Sequence, residues 1–152
     1  MAPGSALIPR LMDLSPGTEA LRHCFALPAH RESVAGARRF TSTWLNRWRL
    51  AGDTHDAAVL IVSELITNAV VHTTSARVVC ELRRTAGRLR ISVQDQGGRP
   101  GGPRLSLAAE GEHGRGLLLV ESLSAAWGSH GAGNRSGRIV WAELSCGPER
   151  TC

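Results

Sequence analysis

The sequence predicts a two-layer α/β sandwich: a mixed, mostly antiparallel sheet with helices on one face. Three observations carry this. Apolar residues recur at helical spacing over residues 33–50, 55–72 and 114–127. Five short runs read as strands, and four of them form two adjacent pairs joined by glycine-bearing turns. The resulting order is strand, helix, helix, strand, strand, helix, strand, strand.

Each element has its own signal. Residues 1–20 read as a flexible leader, rich in Pro, Gly and Ser, and 147–152 as a short tail around a single domain over 21–146. "CFALPA" (24–29) is a short apolar run ending at a proline, as an edge strand does. In the first helix the stripe is Val34, Ala37, Phe40, Trp44 and Trp48. "GDTHD" (52–56) breaks the chain and offers Asp53 or Thr54 as the next helix N-cap. "SARVVCELRR" (75–84) and "GRLRISVQD" (87–95) form an antiparallel hairpin through "RTAG". After a Gly- and Pro-rich stretch comes a helix at "GRGLLLVESLSAAW" (114–127). The last pair is "WGSH" (127–130) and "RIVWAELS" (138–145).

Composition excludes several chemistries. Of 152 residues, 42% are hydrophobic, a globular composition. All 18 basic residues are arginine, and the net charge is +5. Without lysine there is no P-loop and no Schiff-base or pyridoxal chemistry. The arginines are scattered, and two Phe and four Trp offer little for base stacking, so no direct nucleic-acid binding is expected. Cys24, Cys80, Cys146 and Cys152 form no CxxC pair, and no signal peptide is evident. A reduced, cytoplasmic protein with no membrane partner follows, with Cys152 an exposed thiol. No run is expected to reach the length of a membrane span. The histidines show no ligand spacing.

The informative stretch is "LIVSELITNAVVHT" (60–73), an apolar helix that carries Glu64 and Asn68. Four residues apart on a helix, their side chains leave one face together. One reading is a solvated stripe shared with Ser63 and Thr67. The other is a metal and water site, with Asn68 an oxygen ligand suited to Mg²⁺ and Glu64 a proton acceptor.

Two further motifs follow in order. "VQDQGGRP" (93–100) ends a strand in Asp95 beside Gly97 and Gly98, either an ordinary turn or an acceptor for the exocyclic amine of a base. "EHGRGLLLV" (112–120) sets Gly114, Arg115 and Gly116 at a helix start, either a plain helix entry or a phosphate site. The 16 residues from Gly98 to His113 between them are long enough for a lid, or for a loose loop.

The three motifs in this order resemble the GHKL ATPase/kinase superfamily with its Bergerat ATP-binding fold. "ELITNAVVH" is similar to its N box, "DQG" to its first glycine box and "HGRGLLLV" to its second. "WGSH…GRIVWAEL" is similar to its last hairpin. Within it, the chain most resembles small bacterial anti-sigma-factor serine/threonine kinases of the RsbW and SpoIIAB type, in their short actinobacterial form. The resemblance covers about residues 25–145.

It implies ATP and Mg²⁺ as cofactors, with Asn68 ligating Mg²⁺ and Glu64 as general base toward a serine or threonine hydroxyl of a partner. Asp95 would accept from adenine, with Gly97 at its edge and His72 and Thr73 near the pocket. Gly114 and Gly116 would meet the phosphates, aided by Arg115. The implied partners are a sigma factor and its STAS-type anti-sigma-factor antagonist, exchanged by partner switching. A homodimer or sigma-factor surface would use Phe40, Trp44 and Trp48. One departure is that "DQGGRP" puts the second glycine at 98 and Arg99 where the family's glycine stands. The alternative function is an ATP-binding or degenerate module that sequesters a partner without phosphoryl transfer.

Overall fold

The computed structural model describes residues 21–73, 75–95, 111–131 and 137–147. Of the expected leader and tail, only Gly147 falls among them, as the last residue of a strand. The elements are β1 (Leu21–Pro28), α1 (Ser33–Arg47), α2 (Gly52–His72), β2 (Arg77–Thr85), β3 (Gly87–Asp95), α3 (Gly111–Leu123), β4 (Ala126–Gly131) and β5 (Arg138–Gly147). Their order is the expected one.

The strands form one sheet in the order β1-β2-β3-β5-β4. It is more uniform than expected, since every pairing is antiparallel. β1 is an edge strand, as its terminal proline suggested. The β2–β3 hairpin turns within Thr85, Ala86 and Gly87, and Gly87 takes a φ of 78° that favours glycine.

Strand alternation builds the core. Val78, Cys80 and Leu82 of β2, Leu89, Ile91 and Val93 of β3, and Val140, Ala142 and Leu144 of β5 are buried on one face. α2 lies over this face with Ala58, Ile61, Val62, Leu65 and Ile66 buried, and α1 and α3 pack against α2. At 21 residues with mean hydropathy 1.3, α2 is long and apolar enough to qualify as a membrane span. The expectation that no run would do so fails, because a helix covered on several sides needs apolar residues nearly all round.

Three local expectations shift. The buried line of α1 is Ala37, Thr41, Leu45 and Trp48, so Phe40 is 45% exposed and meets Phe25 of β1 at 5.2 Å between ring centroids. Trp48 belongs to the core. α2 starts at Gly52 after Ala51, with no side-chain cap, and Asp53 sits in its first turn, where the helix dipole favours an acid.

The corner between α1 and α2 is a Schellman closure. The Leu50 N–H donates to the Leu45 carbonyl at 2.8 Å and the Arg49 N–H to the Asn46 carbonyl at 3.0 Å. Arg49 takes the left-handed position, φ 61°, that glycine usually fills. The Arg84 guanidinium, buried on the core face of β2, donates to the Trp48 carbonyl at this corner.

Candidate functional site

Three of the predicted residues, Glu64, Asn68 and His72, lie on α2. Of the four polar residues that a solvated stripe would share, only Thr67 is exposed. Ser63 is buried, Glu64 is half-buried, and Asn68 is buried with 7% of its surface exposed. The solvated-stripe reading therefore fails at Asn68. Among the described residues, neither the Glu64 carboxylate nor the Asn68 carboxamide has a hydrogen-bond or ion-pair partner. The Asn68 side chain is largely covered, yet its polar atoms are not among the sealed, unpartnered ones, so they stay open to a ligand.

Topology gathers the other residues at the same end of the sandwich. α2 ends at His72, and β2 begins at Arg77. The link between them is closed by side chains: Thr73 Oγ1 lies 2.8 Å from Ser75 Oγ and accepts from the Ser75 N–H at 3.0 Å. The first residues of β2 lie beside the last residues of β3, with Val78 opposite Asp95. Asp95 thus ends the middle strand of the sheet at the end where Asn68 and His72 finish α2. Strand alternation would put residue 95 on the same face as Ile91 and Val93, the face that α2 covers.

α3 returns to this end too. It leads through Ser124 and Ala125 into β4, whose first residue pairs with Glu143, deep along β5 from the Asp95 end. Thirteen helical residues and six extended ones each span about 20 Å. The start of α3 therefore reaches back toward the end of β4, beside the start of β5 and the end of β3.

One detail differs from expectation. α3 spans Gly111–Leu123 where 114–127 was expected, so Gly114, Arg115 and Gly116 lie within its first two turns and not at its very start. Glycine costs about 1 kcal/mol inside a helix, which favoured a later start on sequence grounds. Packing of α3 on α2, with Leu117 and Val120 buried, offsets that cost. The free N–H groups of the helix start accordingly begin three residues earlier. Gly97, and residues 98–110 of the expected lid, lie outside the described residues.

Sequence reasoning counted Arg84 only among the scattered arginines. Its alternation with Val78, Cys80 and Leu82 was the available signal for a buried position. Among the described residues no group of three or more His, Cys, Asp or Glu side chains is placed to hold a metal ion. The cysteines Cys24, Cys80 and Cys146 are free, and burial pushes the Cys80 thiol far up, which makes it inert. Cys152 lies outside the described residues.

α2 with its polar pair thus lies over an antiparallel sheet, Asp95 ends a strand, and a glycine-bearing helix returns toward that end. No curated protein matches the chain. The family model described as a histidine kinase-like ATPase domain matches residues 27–143, from β1 through most of β5. The chain belongs to this ATP-binding, GHKL-type family.

Proposed function

We propose that the protein is a cytoplasmic, ATP-dependent serine/threonine kinase that acts as an anti-sigma factor. It phosphorylates a STAS-type antagonist and exchanges that partner for a sigma factor. The observation that carries the reading is the buried Asn68 carboxamide, one turn from half-buried Glu64 and without a described partner.

The residues present fit a magnesium nucleotide. Asn68 offers a neutral oxygen to Mg²⁺, which keeps several waters and needs few protein ligands. Asp95 offers an acceptor to the adenine amine, and the backbone at the start of α3 offers donors to phosphate oxygens. Bound ATP supplies the phosphoryl group. Glu64 takes the proton of the attacking serine or threonine hydroxyl, and its half-buried position keeps it within reach of a docked partner. Catalysis here rests on positioning and electrostatics more than on covalent chemistry by the protein.

The test is calorimetry with ATP, with and without Mg²⁺, followed by a phosphotransfer assay on a STAS-type antagonist. The wild type binds ATP in a Mg²⁺-dependent way, Asn68→Ala loses that dependence, and Glu64→Gln binds ATP but transfers nothing. Wild-type binding without transfer, unchanged by Glu64→Gln, would replace the kinase by a partner-sequestering module. No binding at millimolar ATP would overturn the reading.

A further inference from the structure

Apart from the nucleotide site, α1 and α2 leave an open groove of about 460 Å³ between them. That volume lies in the range of small-molecule sites, which combine an apolar lining with a few placed polar groups. α1 supplies Arg38, Arg39 and Ser42, and α2 supplies His55, Asp56, Val59 and Leu60. Helical spacing explains the walls: 38 and 42 share one face of α1, as do 55 and 59 on α2.

The polar groups divide into two sets. Ser42 Oγ lies 3.0 Å from His55 Nε2 and ties the two helices together. His55 Nδ1 lies 3.5 Å from Asp56 Oδ1, at the groove's rim. These contacts account for Ser42, His55 and Asp56 as a structural bridge. They do not account for the arginines. Arg38 and Arg39 are exposed, adjacent, and without an acceptor among the described residues. Beside them the floor is apolar, with Val59 half-buried and Leu60 39% exposed.

We propose that this groove binds a small amphipathic carboxylate. The alkyl chain lies on Val59 and Leu60, and the carboxylate meets the guanidinium groups of Arg38 and Arg39. A guanidinium fork matches a carboxylate in a bidentate, charge-assisted geometry. A bare phosphate would leave the apolar floor in water, and an uncharged alcohol would make no charge-assisted contact with the two guanidinium groups. Only a ligand with both parts uses both features. Asp56 belongs to the same lining with its side chain 85% exposed, so the ligand's carboxylate meets two cations and one anion there. The proposal does not depend on the ATP reading. On α2 its residues run from His55 to Leu60, and Leu60 lies four residues, about 6 Å along the helix, from Glu64.

The experiment is a titration of the full chain with octanoate, followed by backbone amide shifts, with octan-1-ol as the uncharged counterpart. Octanoate should move the amides of residues 38–42 and 55–60 with a Kd below about 1 mM. The double variant Arg38→Gln with Arg39→Gln should weaken it at least about tenfold, and octan-1-ol should bind at least about tenfold more weakly. Leu60→Glu, at an exposed helical position, should abolish the shifts. Asn68→Ala should leave them unchanged, which separates this site from the nucleotide site. The proposal fails if about 5 mM octanoate moves no groove amide. It also fails if the double variant binds as well as the wild type, or if octan-1-ol matches octanoate.

Discussion

The Arg84 guanidinium, 6% exposed on the core face of β2, donates from Nη1 to the Trp48 carbonyl at 2.9 Å. A cation at this place satisfies a carbonyl at the end of α1 and complements the negative end of the helix dipole. It thereby ties the α1–α2 corner to the sheet on which α2 lies. Arg84→Ala removes the donor and leaves a buried carbonyl unpaired. We expect a loss of about 2–4 kcal/mol in urea unfolding. A loss under about 0.5 kcal/mol would mean that water replaces the guanidinium freely.

Arg49 closes the same corner at φ 61°, a conformation that costs an L residue about 1–2 kcal/mol. Its side chain is exposed, so little packing is lost with it. Arg49→Gly should stabilise the fold by about 0.5–1 kcal/mol, after glycine's larger unfolded-state entropy is subtracted. A raised urea midpoint with unchanged slope is the expected readout.

Trp141 lies on the outer face of β5 over Gly128 of β4, with the Arg90 guanidinium 4.2 Å from its ring centroid. A Cβ added at Gly128 would stand 3.1 Å from Trp141 Cζ2. The indole must shift and give up part of its contact with Arg90. Gly128→Val should cost about 1–3 kcal/mol and change the tryptophan near-ultraviolet circular dichroism band. An unchanged band and stability would show that the ring moves at no cost.

His23 stacks on Trp44 with ring centroids 3.8 Å apart. Burial, and then the nearby Arg47 charge, hold its pKa below the ordinary value of 6.5. The folded protein keeps this imidazole neutral while the unfolded chain takes up a proton as pH falls through 6.5. The unfolded state then binds more protons, so stability falls below that pH and is unaffected by this group above it. Urea midpoints at about pH 7.5 and about pH 5 should differ less in His23→Phe than in the wild type.

Asp95 ends β3 beside the start of β2, and the nucleotide reading makes it the acceptor for adenine. Asp95→Ala should weaken ATP by about tenfold or more, the worth of one hydrogen bond to a charged group. The loss should be smaller for GTP, whose base presents an oxygen where adenine presents its amine. Equal losses for both nucleotides would remove Asp95 from base recognition.

Much of this protein is local and was legible in its residues. Strand alternation in "RVVCEL" and "RLRISV", helical spacing around Glu64 and Asn68, and the glycine at the β2–β3 turn each specify an element by themselves. The polar pair on one helix face and the acid at a strand end followed from the same periodicities. The expected stripe of the first helix holds Ala37 and Trp48 in common with the core line but takes Phe40 and Trp44 where Thr41 and Leu45 are buried, because the large aromatic rings outweigh their neighbours in hydrophobicity but not in fit. The start of α3 was misplaced because glycine propensity cannot register the burial of Leu117 and Val120.

What only tertiary structure decided is where polar groups end up. The sequence determined that Glu64 and Asn68 share a face. It could not say that the face is half-covered, because burial depends on strands and helices distant in the chain. The same holds for Arg84, placed under a helix end by a register that starts at β1, and for the groove between α1 and α2. Periodicity is a property of neighbours along the chain, whereas solvation is a property of neighbours in space, and only packing supplies the second.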